Sequence, residues 1–269
     1  MSNQSKRRLE AAVQAIQQKW GPQALHKGAL PAARSAVATL PTALPHLDRI
    51  LPAGDRPGGQ GGLPLGHISE LIGQPTSGKR TLALSILAQA QRRYAGIYVD
   101  LAQTFDPAYA AACHVDLSRL VIAVPPTPAH ALDLLCDLAT GGHFGLIVFD
   151  STAELLTVSS PPATLAAVLR RLRHVLEGKA CALLLLTTPS FGEPGASTNY
   201  PAGFDLEQAA ALRLLIDRQR WLRRPDRSIG GYEAQITVLR SRWSAPGRQA
   251  KVRISFNGVR VEDGVKRET

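Results

Sequence analysis

Gly73, Gly78 and Lys79 occur at the spacing Gly-x4-Gly-Lys in the stretch ELIGQPTSGKRTL, residues 70–82. Residues of these types at this spacing can cradle phosphate. Glycines permit the backbone angles that turn successive N–H groups inward, a helix N-terminus adds partial positive charge, and the lysine reaches the outer phosphates. The next position ordinarily carries a Ser or Thr whose hydroxyl holds Mg²⁺. Here it is Arg80, followed by Thr81. A guanidinium cannot ligate a metal, but it can neutralise phosphate itself. Some seventy residues on, GLIVFDS ends an apolar run on Asp150, which places a carboxylate at the tip of a buried strand, in the ligand crevice of an open α/β sheet. The candidate binding residues of this region are Gly73, Thr76, Ser77, Gly78, Lys79, Arg80, Thr81 and Asp150. ATP is the expected ligand, a bound Mg²⁺ is doubtful, and Asp150 is the sole candidate metal ligand.

The loop needs a strand before it and a helix after it. HISELIG reads as the strand and residues 79–93 as the helix. The alternation continues through AGIYVDL, DPAYAAACH, RLVIAV, PAHALDLLCDLATG, GLIVFDS, ATLAAVLRRLRHVLEGK and ACALLLLTT. Near-continuous apolar strands separated by helices imply a parallel sheet covered on both faces. After residue 205, LRLLIDRQRWLRR, GYEAQITVLRSRWS and QAKVRISFNGVRV read as strands separated by turns, expected as antiparallel additions at one edge. Residues 5–20 read as an amphipathic helix, with Leu9, Val13, Ile16 and Trp20 at spacings of four, three and four, stopped by Gly21 and Pro22. The Ala-, Pro- and Gly-rich segment 27–66 reads as a linker, a short helix near TALPHLDRIL, and a glycine loop. The expected fold is thus α/β, a largely parallel sheet flanked by helices, with antiparallel edge strands and a short N-terminal helical extension. Residues 1–40 form the expected helix and linker, 41–262 the core and 263–269 a tail.

Composition narrows the function classes. The formal charge of +10 favours polyanionic partners such as nucleic acid, against the alternative of a merely solvated basic surface. Cys113, Cys136 and Cys181 are scattered without ligand spacing, so buried thiols are expected rather than zinc. The basic N-terminus lacks an apolar h-region, and the longest apolar runs are strand-length. A cytoplasmic protein without a membrane partner is expected.

Together these stretches resemble the RecA family of bacterial recombinases. RLEAAVQAIQQKWGPQAL is similar to the family's N-terminal helix, which packs on the adjacent protomer of a filament. LPTALPHLDRILPAGDRPGGQGGLPLGHISELIG is similar to the family's lead-in to its P-loop. YVDLAQTFDPAYAAACHVDLSRLVIAVPPTPAHALDLL follows the next strand–helix–strand–helix stretch. TVLRSRWSAPGRQAKVRISFNG resembles the late hairpin that reaches a neighbour's nucleotide. The resemblance runs from about residue 5 to residue 262, so the family's C-terminal domain is expected to be absent. It implies that Asp106 and Tyr109 contact and stack on adenine, against the alternative that Tyr109 only packs its helix. It implies that Arg240 and Arg242 stand at two lysine positions that act in trans on a neighbour's ATP, against the alternative of a charged strand edge. Homo-oligomerisation follows from the same resemblance.

The departures from the family pattern are as informative. The family's catalytic glutamate falls on Ala102 in DLAQ, where Asp100 is retained, so no catalytic residue is expected. Thr188 or Pro189 stands at the place of a γ-phosphate-sensing glutamine. The first DNA loop is cut to about TVSSPPAT, and the second, SFGEPGASTNYPAGFDLE, carries no Lys or Arg. Phosphate contacts need cations. These have gathered in RRLRH at 170–174, and in a late segment with Arg213, Arg218, Arg220, Arg223, Arg224 and Arg227. From that segment Arg218, Arg220, Arg223, Arg224 and Arg227 are taken as candidates for DNA or an acidic partner.

Within the family the chain is similar to the ImuA type, in size and in its eroded ATPase residues. That resemblance implies an accessory role in DNA repair and damage-induced (SOS) translesion mutagenesis. The partners would be RecA, a Y-family-like protein, an error-prone replicative-type polymerase and DNA. The alternative is an ATP-dependent recombinase that binds single-stranded DNA. A regulatory ATPase of signalling type explains the P-loop but not DPAY or RSRWSAPG.

Overall fold

The computed structural model describes residues 3–21, 37–55, 59–156, 162–189, 200, 205–255 and 261–263. The chain divides into two units, Met1–Ser35 and Ala36–Thr269. The first holds α1 (Asn3–Trp20). Gly21 closes it in the left-handed conformation, φ 89°, its N–H donating to the Gln17 carbonyl at 2.8 Å. The side chains of Leu9 and Trp20 lie outside the described residues.

The second unit opens with β1 (Thr39–Leu40), α2 (Pro45–Ile50) and β2 (Leu63–Pro64). Regular alternation follows: β3 (Ile68–Ile72), α3 (Lys79–Ala90), β4 (Ala95–Asp100), α4 (Pro107–Ala112), β5 (Leu120–Ala123) and α5 (Pro128–Gly141). Next come β6 (Phe144–Asp150), α6 (Thr152–Leu156), α7 (Pro162–Leu176), β7 (Ala182–Thr187) and α8 (Leu206–Ala209). The long strands β8 (Leu212–Arg223) and β9 (Ile229–Ser241), then β10 (Gln249–Ser255) and β11 (Val261–Asp263), complete the sheet. Because β1 pairs with β2, residues 39 and 40 go with the core rather than with the N-terminal extension. Residues 264–269 of the expected tail lie outside the described residues.

The main sheet runs β11-β10-β9-β8-β3-β7-β6-β4-β5. Strand side chains alternate between its faces. Leu71, Tyr98, Leu146, Val148 and Leu184 join the α2 and α3 residues in one core cluster. Ile97, Val99, Ile147, Phe149 and Leu185 join α5 and α7 in the other. Both faces are covered, which is why these strands read as continuous apolar runs. Cys113, Cys136 and Cys181 are buried free thiols, and burial pushes the Cys113 thiol up to about 11 and that of Cys181 up to about 12.

One expectation is corrected. β8 is not an antiparallel addition: it pairs parallel to β3, from Ser69 with Leu212 to Ile72 with Leu215. Its other neighbour, β9, runs antiparallel to it, as do β10 to β9 and β11 to β10. The reason is visible in burial. Leu212, Leu214 and Ile216 are core residues, whereas Asp217 to Trp221 are exposed. The strand therefore starts inside the sheet and continues past the end of β3 as a two-stranded ribbon with β9. That continuation carries it alongside the loop that follows β3.

Candidate nucleotide site

The loop between β3 and α3 is built by its glycines. Gly78 caps α3 at φ 98°, and a Cβ there would overlap Ile254 and stand 2.7 Å from the Tyr232 hydroxyl. A Cβ at Gly73 would lie 2.8 Å from Ile216 Cγ2. Both positions therefore exclude a side chain, as close backbone approach requires. Thr76 also takes a positive φ, 64°. Lys79 is buried, with Nζ donating to the Gly73 carbonyl at 3.1 Å. Burial lowers its pKa, against the pull of Asp150. Ser77 Oγ is buried without a hydrogen-bond partner among the described residues.

Asp150 ends β6 on the face that Tyr98 and Val148 share, because it lies two residues beyond Val148. α3 packs on that face, and the first turn of α3 carries Arg80. Arg80 Nε donates to Asp150 Oδ2 at 2.6 Å, and the Tyr98 hydroxyl donates to the same oxygen at 2.6 Å. Asp150 Oδ1 is buried and unpartnered among the described residues. Burial works against the Arg80 charge, yet the Asp150 carboxylate more than restores it, and the pKa is raised. Burial, and then the same carboxylate, raise the Tyr98 phenol. The Arg80 side chain remains 43% exposed and lines the cavity in front of the loop.

That cavity, of about 700 Å³, is lined by Thr76, Gly78, Lys79, Arg80 and Thr81 from the loop and α3. On its far wall stand Tyr98, Phe105, Asp106, Tyr109, Thr188, Arg218, Trp221 and Tyr232. Thr81 Oγ1 shares a hydrogen bond with the Tyr109 hydroxyl, so Tyr109 has a polar anchor while its ring faces the cavity. Asp106 caps α4, Oδ1 accepting from the N–H groups of Ala108 at 2.9 Å and Tyr109 at 3.1 Å. Asp100 is spent in a similar way, accepting from the N–H groups of Thr104 at 3.1 Å and Phe105 at 2.8 Å. Ala102 donates its N–H to the Asp150 carbonyl at 3.1 Å and brings no functional group.

Arg218 is the residue whose place the sequence did not reveal. Its guanidinium lies 4.4 Å above the Trp221 ring and donates to Thr76 Oγ1 at 3.3 Å. The ribbon puts it at the mouth of the phosphate loop, not on a separate surface. Trp221 and Tyr232, whose rings meet edge to face at 5.8 Å, were missed with it. All three depend on the parallel β3–β8 register, for which sequence spacing holds no signal. The other arginines of the late segment divide. Arg220 pairs with Glu233 at 3.3 Å, and Arg223 donates to the Arg227 carbonyl at 3.0 Å. Arg224 stands at the turn, where its N–H bonds the Ser228 carbonyl.

Deeper in the sheet, Arg213 Nε donates to Glu70 Oε2 at 2.7 Å, and Arg213 Nη1 to Glu207 Oε1 at 3.0 Å. Arg240 donates to the Glu207 carbonyl. Arg242 joins Arg170, Arg173, His174 and Glu177 around a cavity of about 240 Å³ beside Gly66 and His67, at the opposite end of β3 from the phosphate loop. Most of the two expected DNA loops lies outside the described residues.

A family model for the RecA N-terminal domain matches residues 7–260. The chain belongs to the RecA family. It is 30% identical to Protein RecA of Chloroflexus aggregans over 97% of this chain and 75% of that one. It is 29% identical to Protein RecA of Thermus thermophilus, over 95% of this chain and 78% of the relative. A crystal structure of the RadB recombinase superposes with a TM-score of 0.62 at 22% identity, covering 84% of this chain and all of that one, a likeness of fold. In this RecA-family chain the cavity lies in front of the loop that joins β3 to α3. Among the described residues no helix is long and apolar enough to cross a membrane, and no three or more His, Cys, Asp or Glu side chains are grouped to hold a metal ion.

Proposed function

We propose that this RecA-family chain is an accessory protein that binds a nucleoside polyphosphate and hydrolyses it negligibly. Its role would be DNA repair through damage-induced translesion mutagenesis, as in the ImuA type. The observation that carries the reading is the pairing of Arg80 with Asp150 at 2.6 Å beside Ala102. The carboxylate expected to orient a metal is held by a side chain of the protein. Nothing at residue 102 can take a proton from an attacking water. Its preformed cavity and glycine loop support binding, whereas its chemistry does not support turnover.

The test is ATP binding measured beside ATP turnover, with and without single-stranded DNA. Binding without turnover is expected. A rate of about 1 s⁻¹ or more, in the ordinary enzyme range, would instead favour an ATP-dependent recombinase. That second reading draws on the extent of the likeness to Protein RecA of Chloroflexus aggregans, 97% of this chain.

RecA-family proteins bind DNA and oligomerise. For this chain the proposed partners are RecA, a Y-family-like protein with an error-prone replicative-type polymerase, DNA, and further copies of itself, in the cytoplasm. The apolar stripe of α1 is the proposed contact with a RecA protomer. Deleting residues 1–28 should abolish that association and leave the circular dichroism of the core intact.

A further inference from the structure

The geometry points to Arg80 as a tethered cation in the place of the metal, so that the cavity takes a nucleoside polyphosphate without a divalent ion. This rests on the nucleotide-binding reading above and goes beyond it. The residues present do not fit Mg²⁺. The position that would supply a hydroxyl ligand is Arg80 itself. Asp150 Oδ2 already accepts from the Arg80 guanidinium and the Tyr98 hydroxyl, and its Oδ1 is a single oxygen facing no other donor among the described residues. Mg²⁺ requires near-octahedral oxygen coordination. A dication placed on that oxygen would meet a guanidinium bound to the same carboxylate, and like charges at such separations repel strongly.

What the metal would do electrostatically, Arg80 can do by geometry. Its Nε is bonded to Asp150, and the rest of the side chain lines the cavity. A guanidinium has donors on more than one edge, so one edge can hold a carboxylate while another meets a phosphate. The carboxylate thus aims the cation, as a carboxylate aims a metal or its water. Two more cations converge on the same space. Lys79 lies beneath the loop and Arg218 bonds Thr76 at its mouth. With the N-terminus of α3, they face the full charge of a metal-free polyphosphate. Arg218 is held by Trp221 and Thr76, and no carboxylate pairs with it among the described residues.

The test titrates a fluorescent ATP analogue into the full chain, once with excess Mg²⁺ and once with EDTA. The expected dissociation constants agree within about threefold, less than 1 kcal/mol apart. A loss of affinity of about tenfold or more on chelation overturns the inference and leaves the nucleotide-binding reading standing. Absence of binding in both conditions overturns that reading and the inference with it. R80T, which restores the hydroxyl and removes the cation, should convert the site. Its binding should fall by about tenfold or more in EDTA and recover with Mg²⁺. Binding by R80T that matches the wild-type protein in EDTA overturns the role of Arg80. Should R80T fail to fold, the wild-type comparison decides alone.

Discussion

At the C-terminal end of β3, Arg80 rests on Asp150 and Arg218 on Trp221. At its N-terminal end, Arg170, Arg173 and Arg242 share a cavity of about 240 Å³ whose one carboxylate is Glu177. None of those three forms an ion pair among the described residues. The Arg242 pKa is lowered by burial first and then by Arg173 and Arg240, the mark of cations crowding one another. The comparison separates two uses of the same residue type. An arginine bonded to a buried carboxylate shapes a pocket and has part of its charge spent internally. An arginine among other arginines keeps its charge for an outside anion. Total positive charge therefore says less about partners than the pairing of each cation does.

The largest effect should come from breaking an internal pair in the same sheet. Arg213 and Glu70 are both buried, joining β8 to β3 at 2.7 Å. Arg213→Ala removes the charge partner of the buried Glu70 carboxylate and leaves it the hydroxyls of Thr187 and Tyr200, which costs about 3–5 kcal/mol. Urea unfolding should show the midpoint fall accordingly. A loss below about 1 kcal/mol would place this pair with the weak surface pairs and blur the comparison. Replacing both residues by apolar ones of similar volume should recover much of the loss.

A smaller effect is expected at the tip of the β8–β9 ribbon. With Arg218 turned to the phosphate loop and Arg220 on Glu233, the cations left for DNA there are Arg223, Arg224 and Arg227. Replacing these three with Ala should lower the magnitude of the slope of log affinity against log salt for single-stranded DNA by up to about 2, at about 0.7 per phosphate contact. Affinity should fall evenly across sequences, since phosphate contacts carry no base information. An unchanged slope would move the DNA site off the ribbon and make the tip a docking face for an acidic protein.

How much of this was legible depended on what fixes each feature. The strands β3, β4, β6 and β7 could be read because burial on both faces writes them as apolar runs, and the edge strand β5 because it is apolar although Val121 and Ile122 are exposed. α5 was read to the residue because Thr127 caps it and Gly142 ends it at φ 66°. The glycine loop between β3 and α3 and the place of Asp150 at the end of β6 follow from local sequence. The Arg80–Asp150 pair did not, because it needs the face of β6 and the packing of α3 together. Sequence reasoning expected Arg80 to meet phosphate alone, whereas it also holds the carboxylate. α6, a helix of five residues just after Asp150, is too short to show a period, and two-residue strands such as β1 have none. Arg218 was grouped with its neighbours in sequence because nothing local shows that β8 enters the sheet parallel to β3.

The triple change Arg170→Ala, Arg173→Ala and Arg242→Ala should move stability by no more than about 0.5 kcal/mol in either direction, the range of ordinary surface substitutions. No ion pair is broken among the described residues, and like-charge repulsion is relieved. A loss comparable to that of Arg213→Ala would mean that these arginines are structural after all.

The smallest effect should be that of Ala102→Glu on turnover, which is expected to leave the rate at background. The substitution restores the carboxylate of the family pattern, but a base needs a correctly placed water and a phosphate polarised from the other side. Asp100 is committed to the N–H groups of Thr104 and Phe105. Asp150 is committed to Arg80 and Tyr98. A new glutamate would therefore add negative charge near the polyphosphate without a metal to offset it. Ala102→Glu combined with Arg80→Thr removes the guanidinium from Asp150 and returns the hydroxyl, so the double variant is the one expected to gain Mg²⁺-dependent hydrolysis. Steady-state phosphate release from both variants, with and without Mg²⁺, separates the outcomes. Turnover by Ala102→Glu alone would show that the Arg80–Asp150 pair opens readily. Arg80 would then not be the fixed cation that a metal-free polyphosphate site requires.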